Sequence, residues 1–143
     1  MPLLFDASIY ITALREGGAT LLLQRWSRES PLWLSSVVLE ELYAGANPGD
    51  HRILERLERD FERARRVLTP NLTDWTNAGK MLATLGQKFG YEQIGRSRLT
   101  NDALIAASAS RTGITVLTTN QRDFERLAGF CPLQWQVRGF EAS

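Results

Sequence analysis

The sequence predicts an α/β fold in which helices cover both faces of a mainly parallel sheet of four to five strands. Short apolar runs alternate with longer helical patterns along the 143-residue chain. Helical connections between strands are crossovers, and they favour parallel pairing. With 43% hydrophobic and 23% charged residues, the composition is that of an ordinary globular protein. No linker or internal repeat divides the chain, so residues 1–143 are predicted to form one domain.

The first predicted elements are a strand at residues 3–5 and a helix at 7–14. The strand is a short apolar run, and the helix ends at the paired glycines 17–18, which interrupt a helical pattern. A second helix is predicted at 19–28. It leads into a half-apolar strand at 32–36, so a strand again follows helical segments.

Three further helices surround a short third strand. A helix at 37–44 ends at a segment rich in glycine and proline. At 50–66, apolar residues recur every three or four positions and charged residues fill the other face, which predicts an amphipathic helix. A brief strand at 67–68 precedes a long helix at 73–89, for which Thr73 is the predicted cap.

The last third of the chain repeats the alternation of strands and helices. Thr100 or Asn101 is expected to cap the first helix of this part, and Asn120 opens the second. The predicted elements are a loop at 91–98, a helix at 102–111, a strand at 115–118, a helix at 121–128 and a last strand within 133–137.

The scarcity of cysteine and histidine restricts the chemistry. The chain has one cysteine, Cys131, and one histidine, His51. These counts exclude an internal disulfide, a zinc finger, a CxxC redox pair and a Ser-His-Asp triad, unless His51 alone supplies the base. Catalysis must then use carboxylates, hydroxyls, amides or arginine. The net charge of +1 excludes a uniformly basic surface for nucleic acid.

The N-terminal segment and the hydropathy favour a soluble, cytoplasmic protein without a membrane segment. Residues 1–6 are apolar, but they lack a basic segment and a small-residue cleavage site, so we do not expect a secretory signal. No apolar run approaches the ~20 residues that a membrane helix needs.

Several polar side chains follow the predicted strands or begin the helices next to them. In a parallel sheet, ligands bind outside the carboxyl ends of the strands. Two unit charges about 4 Å apart repel by about 4 kcal/mol at an effective dielectric constant of about 20, so converging carboxylates favour a bound cation. Oxygen ligands without histidine or thiol select Mg²⁺ or Mn²⁺. The residues predicted to converge are Asp6, Glu41, Asp102, Asn120 and Asp123.

Simpler roles are open for most of these acids. Asp6 and Asp102 each suit a helix N-cap, and Asp123 suits an ordinary acid in a first helical turn. Glu41 has apolar neighbours and is predicted to face inward, where an unpaired carboxylate is costly. Glu40, which precedes it, is assigned to solvent.

Hydroxyl and amide side chains near the same strand ends allow two interpretations. Ser8, Thr118 and Asn120 either make hydrogen bonds in caps and turns or position a ligand or substrate. For Asn120, helix capping is the simpler role. Thr119 lies beside them and has the same two possibilities.

Four phrases carry acidic residues in a specific order: LFDAS at 4–8, VLEELYAG at 38–45, NDALIAASA at 101–109 and VLTTNQRDF at 116–124. In order and spacing they resemble the four acidic motifs of PIN-domain nucleases. The match spans nearly the whole chain. Within that superfamily, the chain looks most similar to the VapC toxins of bacterial and archaeal toxin–antitoxin pairs.

The resemblance implies a three-layer α/β/α sandwich and an endoribonuclease that uses Mg²⁺ or Mn²⁺ to activate water against RNA. It also implies a homodimer, neutralised by a small antitoxin whose tail covers the acidic pocket. By position, Asp6, Glu41 and Asp102 would be the core metal-binding acids, and Asp123 a fourth, less constant one. Asn120 stands where many relatives have Asp.

Each acid has an expected role in this chemistry. Asp6 and Asp102 would bind the main ion directly. Glu41 would bind it through water or orient the attacking water, and Asp123 would help a second, weaker ion.

An acidic pocket repels a polyanion, so nearby cations must hold the RNA. Arg15, Arg96, Arg98 and Arg122 lie on segments predicted to border the pocket. Arg96 and Arg98 belong to the predicted loop and could reach a phosphate. A solvated surface position is the simpler role for each of them.

Apolar side chains in the first half of the chain are predicted to contact an antitoxin or a second copy, although core packing explains them more simply. The residues of this predicted partner surface are Leu21, Leu22, Trp26, Leu54, Leu57 and Phe61. The tryptophans predicted to be core or interface anchors are Trp26, Trp33, Trp75 and Trp135.

Three alternatives to the toxin stay open. A PIN-fold nuclease that processes RNA without an antitoxin would share every acid, and a noncatalytic RNA-binding or protein-binding module would need none of them as catalysts. A receiver-type phospho-switch is disfavoured. It would need an aspartate after the third strand and a late lysine, but residues 69–71 are Thr-Pro-Asn and the lysines are Lys80 and Lys88.

Overall fold

A computed structural model describes residues 1–18, 30–91 and 99–137. Its centre is a parallel sheet of five strands. The strands are β1 (Leu3–Phe5), β2 (Leu32–Ser35), β3 (Val67–Leu68), β4 (Thr115–Thr118) and β5 (Trp135–Val137). They lie in the order β3-β2-β1-β4-β5, and every neighbouring pair is parallel. The predicted parallel sheet is confirmed, and its five strands are the upper value of the predicted four to five.

Six α-helices connect these strands within the described residues. They are α1 (Ala7–Arg15), α2 (Ser36–Gly45), α3 (His51–Arg63), α4 (Leu72–Phe89), α5 (Leu99–Thr112) and α6 (Gln121–Ala128). In the described part of the chain, none of them is long and apolar enough to cross a membrane. The predicted helix at 19–28 and the predicted loop at 92–98 lie outside the described residues.

The middle of the sheet is the most deeply buried part of the fold. In β1, Leu3 pairs with Leu32 of β2 on one side and with Thr115 of β4 on the other. Every residue of β1 and β4 is buried. Because side chains alternate between the two faces of a strand, full burial requires helices on both faces. The predicted α/β class with helices on either side of the sheet is confirmed.

Two helices begin at residues other than the predicted ones. Ser35 ends β2 and caps α2, because its hydroxyl oxygen accepts a hydrogen bond from the Val38 amide at 3.5 Å. The predicted cap Thr73 is wrong for α4. Asn71 caps that helix in a capping box, in which its side chain accepts from the Asp74 amide and the Asp74 carboxylate accepts from the Asn71 amide.

The start of α5 also differs from the prediction. This helix begins at Leu99, so Thr100, Asn101 and Asp102 all lie inside its first turn. Leu99 is only 5% exposed, and its burial favours a helix that already includes it. The N-cap role considered for Asp102 is therefore wrong.

An ion pair joins α4 to the last turn of α5. The Arg111 Nε atom donates to both oxygens of Asp74 at 3.0 Å, and its Nη2 atom donates to Asp74 Oδ2 at 2.9 Å. Asp74 is 1% exposed, and the hydrogen bond to it raises the pKa of Arg111. The carboxylate is thus fully engaged by a cation of the same chain and by the capping box of α4.

The residues of the predicted partner surface that the structure describes are buried in the core or pack against it. Leu54 and Leu57 are 1% and 7% exposed, so they are unavailable to a partner, and the prediction for them is wrong. Phe61 is half-buried, and the other three residues of that surface lie outside the described residues. Core packing of α3 buries the apolar stripe that suggested a groove.

The tryptophans divide between core and surface. Trp33 and Trp135 pack against the core, whereas Trp75 on α4 is 56% exposed and is not a core anchor. Trp26 lies outside the described residues.

Candidate metal centre

Three carboxylates meet at the carboxyl edge of the sheet. Asp6 follows β1 directly, Glu41 lies in α2 after β2, and Asp102 lies in the first turn of α5. The helix α5 runs back along the sheet towards β4, which brings its N-terminus to the edge where the parallel strands end. One ligand oxygen from each of the three residues lies within 4.8 Å of the others. The structure therefore brings these three predicted residues together, and we call them the acidic cluster.

Asp6 is held by hydrogen bonds from both sides of its carboxylate. Its Oδ1 atom accepts from the Ala7 amide at 2.8 Å, so Asp6 caps α1. Its Oδ2 atom accepts from the hydroxyls of Ser8 at 3.1 Å and Thr118 at 2.9 Å. The capping role and membership of the acidic cluster therefore apply to the same residue. Since Asp6 is only 4% exposed, these bonds fix its orientation.

The two hydroxyls also receive hydrogen bonds from the turn after β4. The main-chain N–H of Asn120 donates to Thr118 Oγ1 at 2.9 Å, and the main-chain N–H of Thr119 donates to Ser8 Oγ at 3.3 Å. Each hydroxyl thus accepts from the turn and donates to Asp6. For Ser8 and Thr118, the turn hydrogen bonding and the positioning of the Asp6 carboxylate are two parts of one network.

Glu41 and its neighbour Glu40 face different surroundings, as their sequence context predicts. Glu40 is exposed and its Oε2 atom accepts from Asn101 Nδ2 at 3.3 Å. Glu41 is half-buried, and its Oε1 atom is shielded from solvent. The carboxylate of Glu41 is thus directed into the protein beside the two aspartates of the acidic cluster.

Asn120 does not cap α6 with its side chain, so that simpler prediction is wrong. Its Nδ2 atom instead donates to Asp102 Oδ2 at 3.4 Å and to Asp123 Oδ2 at 2.9 Å. Asp123 is half-buried and lies outside the acidic cluster. The side-chain amide of Asn120 therefore connects the fourth predicted acid, Asp123, to Asp102 of the acidic cluster.

The arginines predicted to hold RNA divide between two parts of the chain. Arg15 in the last turn of α1 and Arg122 in the first turn of α6 are exposed. Arg96 and Arg98 lie outside the described residues. Arg122 thus lies near the carboxyl edge, at the start of α6. Arg15 does not border the acidic cluster as predicted, because α1 begins at that edge after Asp6 and its nine residues carry Arg15 roughly 13 Å away from it.

A second concave region lies away from these acids. A groove of about 380 Å³ is lined by residues of α4, α5 and the segment 130–132, among them Lys80, Arg111 and Cys131. None of the acids of the acidic cluster lines it. Burial raises the pKa of the Cys131 thiol, which keeps it protonated and weakly reactive at neutral pH.

The donor set of the acidic cluster suits a small, hard divalent cation. All three residues offer carboxylate oxygens, and the set contains neither imidazole nor thiolate. Around Mg²⁺, with bonds of about 2.1 Å, oxygens on opposite sides of the ion lie about 4.2 Å apart. The observed limit of 4.8 Å is close to that value, so small side-chain adjustments bring all three residues into contact with one ion. The residues therefore fit Mg²⁺ or Mn²⁺.

Comparison with known proteins identifies the family. Residues 3–130 match the family model of the PIN domain, which spans nearly all of the described chain. This chain belongs to the PIN-domain family. The resemblance drawn from the four acidic motifs is confirmed, and PIN domains are nucleases, so membership indicates a hydrolase. The receiver-type alternative is excluded by the same match.

Several solved structures similar to this PIN domain are VapBC proteins. VapBC-1 from nontypeable Haemophilus influenzae is 26% identical, covers 96% of this chain and 98% of its own, and has a TM-score of 0.64. The DNA-bound VapBC from Salmonella typhimurium is 24% identical, covers 96% and 98%, and has a TM-score of 0.68. VapBC2 from Rickettsia felis, bound to a promoter DNA fragment, is 21% identical, covers 96% and 99%, and has a TM-score of 0.67. A search of curated proteins gave no match.

The resemblance to VapC-type PIN domains is consistent with both comparisons. The Salmonella and Rickettsia structures support the fold. The sequence did not reveal the side-chain hydrogen bonds of Asn120 to Asp102 and Asp123, because a position before a helix is typical of a cap. The signal that pointed to another role is the acid three residues later, which an amide at the start of the helix can reach.

Proposed function

We propose that this PIN domain is an endoribonuclease dependent on Mg²⁺ or Mn²⁺ and the toxin of a toxin–antitoxin pair. The observation that carries the proposal is the convergence of Asp6, Glu41 and Asp102 within 4.8 Å at the carboxyl edge of the sheet. Like charges so close favour a cation between them. RNA as substrate and the toxin role come from the VapC-type motifs and from the similarity to VapBC-1.

When bound, a divalent cation supplies positive charge at the scissile phosphate and lowers the pKa of a water. Asp6 and Asp102 would hold the cation directly. Asp6 is oriented for this by Ser8 and Thr118, and Asp102 by Asn120. Glu41 would hold the cation through water, or accept a hydrogen bond from the attacking water and orient it for in-line displacement. The protein then needs no covalent nucleophile.

The experiment that tests this activity is incubation of the purified protein with total RNA, with and without Mn²⁺, followed by mapping of the cut ends. We expect cleavage that needs the metal and that the variant Asp6→Asn loses. The control is Asp60→Asn, which removes an exposed carboxylate on α3. If Asp6→Asn folds and cuts as fast as the wild-type protein, the assignment of Asp6 is wrong. If no RNA is cut under any condition, the result favours the alternative of a noncatalytic RNA-binding or protein-binding module.

We also propose a cytoplasmic homodimer that a small antitoxin inhibits. The support is the resemblance to VapC toxins and the fact that similar structures are VapBC proteins. Size-exclusion chromatography with light scattering tests the dimer, and a strict monomer would contradict it. A neighbouring reading frame for a small DNA-binding protein, whose product blocks cleavage when added, would separate the toxin from an RNA-processing nuclease without an antitoxin.

A further inference from the structure

We propose that Asn120 is a positioning residue that restricts this centre to one divalent cation. The inference rests on the proposed function, because it assumes that the acidic cluster binds a metal. It concerns the number of ions rather than the cleavage itself. It also changes the role of Asp123, which the sequence analysis assigned to a second ion.

The amide of Asn120 lies between two carboxylates. Its Nδ2 atom donates to Asp123 Oδ2 at 2.9 Å and, with a longer bond of 3.4 Å, to Asp102 Oδ2. The nitrogen must face these two residues, because the amide oxygen would be repelled by both carboxylates. An amide NH₂ group has two N–H donors, and here each has an acceptor.

This arrangement blocks a second ion at that place. A cation that bridges Asp102 and Asp123 would have to lie where the amide nitrogen lies. An amide nitrogen donates hydrogen bonds and does not ligate metals, so Asn120 cannot share the site with such a cation. The bond from Asn120 uses only part of the acceptor capacity of a carboxylate, so it does not by itself prevent Asp102 from binding an ion in the acidic cluster.

The charges around residue 120 also favour a single ion in this protein. With Asn at position 120, the donors of a neutral side chain relieve the repulsion between Asp102 and Asp123. With Asp at this position, a third carboxylate would replace the donor, and the three could all stay ionised only with a cation between them. The identity of residue 120 therefore decides whether the space beside Asp102 is filled by an amide or by a second ion.

The main chain of Asn120 connects it to the other side of the centre. Its amide N–H donates to Thr118 Oγ1, and that hydroxyl donates to Asp6 Oδ2. Residue 120 thus contacts one aspartate of the acidic cluster directly and reaches the other through a single hydroxyl. A substitution at 120 should alter the metal centre even though residue 120 itself binds no metal.

The test counts ions. Mn²⁺ is titrated into the wild-type protein and its variants, with isothermal calorimetry for the stoichiometry and electron paramagnetic resonance for free Mn²⁺. We expect one Mn²⁺ per wild-type chain and two per Asn120→Asp chain. Asn120→Ala, which removes the donor without adding charge, should also bind two, the second more weakly. The charge-matched control Asn77→Asp, on α4 at the groove away from the acidic cluster, should bind one.

Several outcomes would overturn the inference. They are a wild-type protein that binds two ions, or Asn120 variants that still bind one. If Asn120→Asp fails to fold without metal, Asn120→Ala decides. A wild-type protein that binds no Mn²⁺ refutes the metal centre and this inference with it. A wild-type protein that binds one ion but cuts no RNA refutes the proposed function and leaves the role of Asn120 standing, so the two failures are distinguishable.

Discussion

The two ends of α5 place aspartates in contrasting surroundings. At the C-terminal end, Arg111 holds the buried Asp74 with three hydrogen bonds of 2.9–3.0 Å. At the N-terminal end, Asp102 lies in the acidic cluster, and the described hydrogen bonds around it and Asp6 come from amides and hydroxyls. Neutral donors orient a carboxylate without cancelling its charge.

The difference indicates how this PIN domain separates stability from chemistry. Asp74 is neutralised inside the chain and ties α4 to α5, so its charge is unavailable to a ligand. In the acidic cluster, Asp6 and Asp102 are each 4% exposed and Glu41 is half-buried. The described hydrogen bonds to the two aspartates come from neutral groups, and these three carboxylates are the ones proposed to bind a cation. Substitutions at the two ends of α5 should therefore change different properties, and the following predictions test that separation.

The largest effect is expected at the N-terminal end of α5, where Asp102 lies in the acidic cluster. Asp102→Asn should reduce metal-dependent RNA cleavage by more than about 100-fold, because even outer partners of metal ligands are worth 10–100-fold. In EDTA the same variant should unfold at an equal or higher temperature, since it removes one of three repelling charges. Initial cleavage rates and thermal unfolding measure the two quantities. A large drop in unfolding temperature would contradict the comparison.

The next effect is expected at the other end of α5. Asp74→Asn should lower the free energy of unfolding by about 3 kcal/mol, because it leaves Arg111 without its counter-charge and weakens the cap of α4. Urea unfolding measures the loss, with the exposed Asp60→Asn as control. At a temperature where the variant is folded, its Mn²⁺ affinity should equal that of the wild-type protein. A matching loss of Mn²⁺ affinity would show that the two ends are coupled.

A smaller effect is expected when a neutral donor to the acidic cluster is removed. Thr118→Val keeps the side-chain shape but removes the hydroxyl that donates to Asp6, and it should weaken Mn²⁺ binding by about 10-fold. Thr84→Val on α4 is the matched control, because that exposed hydroxyl bonds only to a backbone carbonyl in its own helix. Calorimetric titration measures both variants. Equal affinity in Thr118→Val and the wild-type protein would mean that Asp6 needs no support from this hydroxyl.

The smallest effect concerns the buried hydroxyl of Tyr10, which, unlike the carboxylates at the two ends of α5, has no described hydrogen bond. Within the described residues, the Tyr10 hydroxyl has no hydrogen-bond partner, and burial raises its pKa. Tyr10→Phe should therefore raise the free energy of unfolding by about 1 kcal/mol.

The effect of Tyr10→Phe should depend on pH in one direction. The unfolded tyrosine ionises near its ordinary pKa of about 10, whereas the folded one stays protonated, so wild-type stability falls as the pH rises above about 10. The variant lacks this loss. The difference in urea midpoints should widen from pH 9 to pH 11. A variant less stable than the wild-type protein would indicate that the hydroxyl has a partner in solution.

The sequence predicted the parts of the fold that depend on local pattern. The strands β1 and β4 stand out as apolar runs, and the acids after β1 and β2 follow from the rule that parallel strands end at one edge. The convergence of Asp6, Glu41 and Asp102 could be anticipated for this reason. Local pattern failed where tertiary contacts decide, as for the buried Leu54 and Leu57.

Side-chain partners were the least predictable feature. Asn120 precedes a helix and has the composition of a cap, but two carboxylates attract its amide more strongly than the helix end does. The pairing of Asp74 with Arg111 joins residues of different helices, and no spacing rule reports it. In both cases the partner was set by a charged residue that is close in the fold, and Asp102 and Arg111 are also distant in the sequence. The local sequence pattern does not report such contacts.

The acidic cluster takes its members from three segments, so protein synthesis delivers them one after another. A nascent chain that stops before α5 has Asp6 and Glu41 but neither Asp102 nor the strand β4 that pairs with β1. Such a fragment cannot assemble the centre. Chains that end before α5 should therefore lack the proposed activity, which can appear only after translation has passed Asp102 and β4.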